Sequence, residues 1–278
     1  MHDSAHKHGR LFFELYWQDT FASVVELGSY DVNGTLRSVC PPGARYIGID
    51  LEPGPGVDVV VQAGAPLPFA NDSIDAVVSS SAFEHDVCFW ETFLEQARVV
   101  RPGGLIYLNA PSNYAFHRYP LDCWRFYPDA GIALAAWATR SGYAIELVES
   151  FLADPISDGW ADFVAVFRKV SPQPWNRRGR IADHTVAHNI YDAARPVPRD
   201  LENTLADVPE MRKVTALRQQ LAQRDEELLV LRERVEAFTT RVEDLQQSVV
   251  ARQQAARDPR PGCPERQQCQ LPWVQTAV

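Results

Sequence analysis

At 278 residues the chain is long enough for one or two domains with a full core, and 46% hydrophobic, 10% aromatic and 23% charged residues exclude global disorder and a collagen-like chain. No run approaches the ~18 apolar residues a membrane span needs; the best local stretch is Ala133 to Ala138, so a spanning role is excluded. Residues 1–170 hold 11 Lys+Arg against 21 Asp+Glu, within a total charge of −9, which makes them a poor partner for a phosphate backbone. No nucleic-acid role is expected; a small or neutral substrate is.

The start, MHDSAHKHGR, is polar and His-rich with no apolar segment after a basic one, so it reads as a mobile terminus without a secretory signal and implies a cytoplasmic protein. His2, His6 and His8 on such a terminus are no metal site. The five cysteines, at positions 40, 88, 123, 263 and 269, show no CxxC spacing and suit reduced thiols. No metal is expected.

Between Phe21 and Lys169 apolar runs alternate with helix-length segments, the pattern of an α/β domain with a parallel sheet. Strands are predicted at Ser23 to Leu27, Arg45 to Asp50, Val57 to Val61, Ile74 to Ser79, Gly104 to Ala110, Ala144 to Ser150 and Phe163 to Arg168. Helices are predicted at Leu11 to Thr20, after the Gly28 turn, at Trp90 to Val100 and at Pro128 to Ser141, and the first five strands are expected to be linked by helices. The last two strands are joined only by a short loop and should pair antiparallel. The expected fold is a Rossmann-like seven-stranded, mostly parallel sheet over residues 1–170, followed by a C-terminal coiled-coil helix.

Residues 171–209 carry prolines at 172, 174, 196, 198 and 209 without a sustained period and read as a linker. Residues 210–258 contain neither Gly nor Pro. Val214, Leu221, Leu228, Val235, Val242 and Val249 fall at heptad position a, and Leu217, Arg224, Leu231, Phe238 and Leu245 at d. β-Branched residues at a with Leu at d favour a parallel homodimer, with Arg224 as the polar interruption. Residues 259–278 read as a flexible tail.

The chemistry is expected around residues 24–34, VVELGSYDVNG. An acid ends the first strand and a glycine turn follows, so a ligand can approach the backbone at the start of the next segment. Asp50, at the end of the second strand, can accept both hydroxyls of an adenosine ribose. A nicotinamide dinucleotide fits poorly: Tyr30 and Asn33 stand where its GxGxxG fingerprint needs glycines, and Glu26 would repel a pyrophosphate. S-adenosylmethionine lacks phosphate and carries an ammonium group, which Glu26 favours.

The segments ELGSYDVNG, YIGIDLEPG, LPFANDSIDAVVSSSAFEHD and RVVRPGGLIYLNAPS, in that order over about residues 20–170, resemble the class I S-adenosylmethionine-dependent methyltransferases, in particular their small-molecule branch. The resemblance implies a seven-stranded sheet with an antiparallel final strand and S-adenosylmethionine as cofactor. It places Glu26, Gly28, Ser29 and Gly34 about the methionine end, Asp50 on the ribose and Leu51 on the adenine face, with Ser80 at the end of the fourth strand. It also departs from the family pattern: Ala63 stands where the family has an aspartate, leaving the adenine amino group to the backbone near Gly64 and Ala65.

Glu84, His85 and Asp86 follow the fourth strand, where the reacting methyl group would lie. An imidazole is suited to take the proton of an acceptor hydroxyl, and a neighbouring carboxylate can orient it, which makes His85 and Asp86 the expected catalytic residues. The alternative is that EHD caps a helix. Residues 111–131, PSNYAFHRYPLDCWRFYPDAG, follow the fifth strand, where open α/β sheets place substrate loops. Aromatics and charges there suit a sugar-like acceptor, with His117 as a second catalytic residue and Tyr119, Asp122, Trp124 and Arg125 as substrate contacts. The H-x-x-P-x-D-x-W-R-F run is similar to methyltransferases of glycan and polysaccharide synthesis. In the competing reading Trp124 packs the following helix and Asp122 with Arg125 is a structural ion pair. Two functions follow: a methyltransferase acting on a small or carbohydrate-like acceptor at oxygen, or a catalytically weak methyltransferase-fold module that assembles through its coiled coil.

Overall fold

In a computed structural model, residues 2–157, 159–193, 195–201 and 207–257 are described. The chain divides into two units, Met1–Met211 and Arg212–Val278. The first opens with helix α1 (Asp3–Tyr16), then strands β1 (Ser23–Leu27), β2 (Arg45–Asp50), β3 (Val59–Val60) and β4 (Ile74–Ser80). Helix α2 (Phe89–Val99), β5 (Val100–Pro111), helix α3 (Ala130–Arg140), β6 (Ile145–Ala153), β7 (Asp162–Lys169), β8 (Ala187–Asp192) and β9 (Arg195–Arg199) follow.

The strands form one sheet in the order β3-β2-β1-β4-β5-β7-β6-β8-β9. From β3 to β5 neighbours are parallel, and from β5 to β9 they are antiparallel. The predicted strands are all present and the β6–β7 pair is antiparallel as expected, but among the described residues the sheet has nine strands where seven were predicted. Strands β8 and β9 lie in the stretch read as a linker, which is therefore part of the first unit as far as Asp200 and Leu201 are described. Prolines at 196 and 198 concealed β9. On an outermost strand an N–H that points away from the sheet makes no ladder bond, so proline is tolerated at such positions.

Alternation along the strands feeds two cores. Val25, Val77, Ile106 and Phe167 face Phe93 and Ala97 of α2 and Leu134 and Ala138 of α3. Each helix offers an i, i+4 pair, the spacing that lines up one face. Val24, Ala76, Val78, Leu105 and Tyr107 point the other way, onto Leu11, Phe12, Leu15 and Tyr16 of α1. The N-terminal residues are thus structural where a mobile terminus was expected. His8 is fully buried, with Nδ1 3.1 Å from Asp162 Oδ2 and Nε2 3.3 Å from Thr185 Oγ1, and His2 stacks on Trp160. The predicted helix Leu11 to Thr20 in fact starts at Asp3 and ends at Tyr16.

The expected helix after Gly28 is reduced to one 3-10 turn, Leu36–Val39. The Gly34 N–H donates to Asp31 Oδ1 (2.7 Å), Thr35 Oγ1 accepts from the Arg37 N–H (3.1 Å), and Pro41 and Pro42 close the segment. Turn chemistry on one side and prolines on the other leave room for a single turn. Loops without helices also join β2 to β3 and β3 to β4, so helical links among the first five strands are confined to α2.

Helix α4 (Asp207–Arg257) begins in the first unit and supplies the described residues of the second from Arg212 onward; it covers residues 210–257 of the predicted coiled coil. The predicted tail, residues 259–278, lies outside the described residues. Among the described residues no helix is long and apolar enough to cross a membrane.

Candidate active site

Most of the predicted cofactor residues lie at or follow the carboxyl ends of β1, β2 and β4. Gly28, at φ +77°, and Ser29 donate their N–H groups to the Ile49 carbonyl at 3.0 and 3.1 Å, which ties the β1 turn to β2. The Asp50 carboxylate accepts from the N–H of Tyr30 (2.9 Å) and of Leu51 (2.7 Å), so it is aimed by the backbone on both sides while keeping lone pairs for a ligand. Leu51 beside it is half exposed. Gly34 lies in the turn that leads into the 3-10 helix, at φ +128°. Gly64 and Ala65 form a separate turn after β3, in which the Ala65 N–H reaches the Gln62 carbonyl at 3.0 Å.

Glu26 is 2% exposed and accepts from Thr35 Oγ1 at 3.3 Å. Burial drives its pKa up to about 7, against smaller opposing effects from Tyr46, Thr35, Leu36 and Arg37. A buried carboxyl poised near neutrality gains from a cationic partner. Ser29 Oγ and Ser80 Oγ are buried and without a hydrogen-bond partner among the described residues, so this edge holds orphaned polar atoms that a polar ligand would satisfy. These residues fit an S-adenosylmethionine-like molecule; Ala63 offers nothing for its adenine amino group.

Beyond Ser80 the chain turns through Ser81 at φ +53° into Ala82, Phe83, Glu84 and His85. His85 Nδ1 is hydrogen-bonded to the Leu121 carbonyl and its Nε2 lies 3.6 Å from Glu84 Oε1. Its pKa is lowered, first by burial. Glu84 is 1% exposed, and burial raises its pKa to about 8. The His117 ring meets the His85 ring edge-on at 4.9 Å. The carboxylate beside His85 is therefore Glu84. Asp86, expected in that role, instead accepts from the Cys88 N–H (2.8 Å) and from Thr92 Oγ1, which fixes the start of α2.

In the aromatic loop, three of the four expected substrate contacts, Asp122, Trp124 and Arg125, are engaged within the protein itself. Arg125 grips Asp122 with two nitrogens, at 2.6 and 2.9 Å, and also reaches the carbonyls of Asn113, Ala115 and Trp124. That grip holds the Asp122 carboxyl down to about 2. Trp124 Nε1 donates to the Asp86 carbonyl at 2.7 Å, and its ring packs on Phe89 and Trp90. Tyr119, 56% exposed with its ring 6.5 Å from His85, remains available to a ligand. Trp160 escaped the sequence reading. It sits edge-on to His117 and Tyr114 from the loop between β6 and β7, contacts with residues more than 40 positions away that no local pattern signals.

Residues 33–108 match a family described as a methyltransferase domain. The chain is 39% identical to an uncharacterized methyltransferase of Mycobacterium marinum over 47% of this chain and 59% of that protein. It is 40% identical to another of Mycobacterium avium over 24% and 31%. It thus spans between about a third and three-fifths of these curated relatives. Among solved structures it is similar to a 1,6-didemethyltoxoflavin N1-methyltransferase of Burkholderia thailandensis with bound S-adenosylhomocysteine, at 14% identity and a TM-score of 0.48 over 61% of this chain and 80% of that one.

Proposed function

We propose that this chain is an S-adenosylmethionine-dependent methyltransferase acting at an oxygen of a small or carbohydrate-like acceptor. The observation that carries the reading is the edge formed by Glu26, Gly28 and Asp50: a buried acid poised near neutrality, a turn open to close approach and a carboxylate aimed by two N–H groups. It lies within or beside the segment that matches a methyltransferase domain. The cofactor, when bound, supplies an electrophilic sulfonium methyl group.

In this reading Glu26 and the 28–34 turn hold the amino-acid end, and Asp50 holds the ribose, with Leu51 against the adenine and the Gly64–Ala65 turn nearby. Ser29 and Ser80 offer hydroxyls. Because the Leu121 carbonyl occupies His85 Nδ1, that nitrogen carries the hydrogen and Nε2 keeps a lone pair that can take the acceptor's proton. Glu84, at 3.6 Å, then faces the imidazolium. Proton removal of this kind contributes about 10²- to 10⁴-fold, and alignment of the reactants more. His117 and Tyr119 border the acceptor side. The exposed Tyr119 ring beside the His85 imidazole suits a hydroxylated acceptor.

The apolar heptad residues of α4 are exposed, from Val214 at 44% to Phe238 at 64%, and a stripe of that length calls for a partner helix in water. The reading includes a parallel homodimer through this seam, in the cytoplasm. Transfer of labelled methyl from S-adenosylmethionine to a panel of hydroxylated small molecules and sugars tests it. Product that disappears in Asp50→Ala supports it, whereas cofactor binding without transfer to any acceptor favours the assembly module.

A further inference from the structure

The cluster beyond β4 has the makings of more than a proton acceptor. Glu84 Oε2 is buried and has no hydrogen-bond partner among the described residues. A carboxylate oxygen in that state costs free energy until a proton or a cation satisfies it. One donor atom each from Glu84, His85 and His117 lie within 4.8 Å of one another. We propose that these three side chains bind a divalent transition-metal ion of the zinc type, with a coordination position left open toward the acceptor.

The supporting frame is already built. Two ligands of a tetrahedral zinc ion, each about 2.1 Å from it, stand roughly 3.4 Å apart; His85 Nε2 and Glu84 Oε1 are at 3.6 Å. The Leu121 carbonyl fixes His85 with Nε2 as its free donor, the arrangement that orients a metal-binding imidazole. The His117 main-chain N–H donates to Asp122 Oδ2 at 2.7 Å, and its Nδ1 lies 3.4 Å from the same oxygen, a carboxylate behind the second imidazole. The loop bearing His117 is pinned to the strand end bearing Glu84, because the N–H groups of Cys123 and Trp124 both donate to the Glu84 carbonyl, at 2.7 and 3.2 Å.

Two imidazoles and one carboxylate suit zinc, iron or manganese and disfavour magnesium and calcium, which take oxygen ligands. Side-chain exposure rises from 1% at Glu84 through 14% at His85 to 36% at His117, so the ion would be anchored inside and open outward. The inference stands on these side chains whatever the chain methylates. Within the methyltransferase reading, the ion takes over from His85 the task of acting on the acceptor oxygen.

The test is calorimetric titration of Zn(II) into the chelator-treated full chain without S-adenosylmethionine. The expected result is one zinc per chain, with affinity lowered at least tenfold by Glu84→Gln and by His117→Ala, kept in the double variant His2→Ala/His6→Ala, and no comparable uptake of Mg(II). His117 is partly exposed, so its replacement leaves the fold intact, as circular dichroism would check, and it decides the matter should Glu84→Gln not fold. No zinc binding, binding unmoved by His117→Ala, or binding lost with His2 and His6 overturns the site. S-adenosylmethionine titrated into the same samples separates the two readings, since either ligand can bind without the other.

Discussion

Gly28 and Ala82 are packed so closely that a Cβ on the glycine would lie 2.4 Å from the Cβ of the alanine. The turn after β1 and the segment after β4, which carry the two halves of the candidate site, are thus held against one another at a point where only glycine fits. Gly28 also has φ +77°, a conformation that costs a non-glycine residue about 1–2 kcal/mol on its own. Gly28→Ala should therefore destabilise the fold by more than that conformational cost, seen as a lower urea midpoint, and should weaken S-adenosylmethionine binding because the two segments are pushed apart. A midpoint within error of wild type would show that the two segments can separate freely.

Glu26 should leave a signature in the pH dependence of stability. Its pKa rises on folding to about 7, so the folded chain holds a proton that the unfolded chain releases from about pH 4.5 upward. The stability this proton provides is complete below about pH 4.5 and is lost as pH rises through 7, at most ~1.4 kcal/mol per pH unit. Glu84, raised to about 8, acts in the same direction. Glu26→Gln removes only its own share, so the variant should gain on wild type between pH 5 and 7.5. Parallel denaturation curves for the two proteins across that range would refute the assignment.

Asp122 and Arg125 should matter for folding more than for substrate. Arg125→Ala strands the Asp122 carboxylate, whose side chain is 1% exposed, and removing one partner of a buried pair costs about 3 kcal/mol or more. Arg125→Lys should recover little, because lysine cannot reproduce the two-pronged contact and three carbonyl bonds. Thermal unfolding measures both. Unchanged melting in Arg125→Ala would return the pair to the substrate side.

The strands were legible because several carry short apolar runs buried on both faces, such as Ala76–Val78 within Ile74–Ser80, and the Glu26, Gly28 and Asp50 positions followed from strand ends. The missing helix after Gly28 was written locally, in Asn33, Gly34, Pro41 and Pro42, but an expectation of α/β alternation outweighed it. The burial of His8 could not be read, since its partner Asp162 is 154 residues away. The grouping of Glu84 with His117 likewise depends on a loop returning to the Glu84 carbonyl, which no local pattern encodes.

Helix α4 should make the full chain a dimer. Leu228→Glu with Leu231→Glu places charges in the a and d seam, where both wild-type residues are about half exposed in the single chain. Sedimentation should find dimers for wild type and monomers for the double variant. A monomeric wild type rejects the homodimer, and a dimeric variant moves the interface to another surface.

Binding of S-adenosylmethionine is the most direct test of the central claim. Calorimetric titration into the full chain should show one molecule bound per chain, with affinity reduced at least tenfold in Asp50→Ala, which loses charge-assisted hydrogen bonds to the ribose while circular dichroism stays unchanged. Absence of binding to the folded wild-type chain, or equal binding by folded Asp50→Ala, would contradict the account.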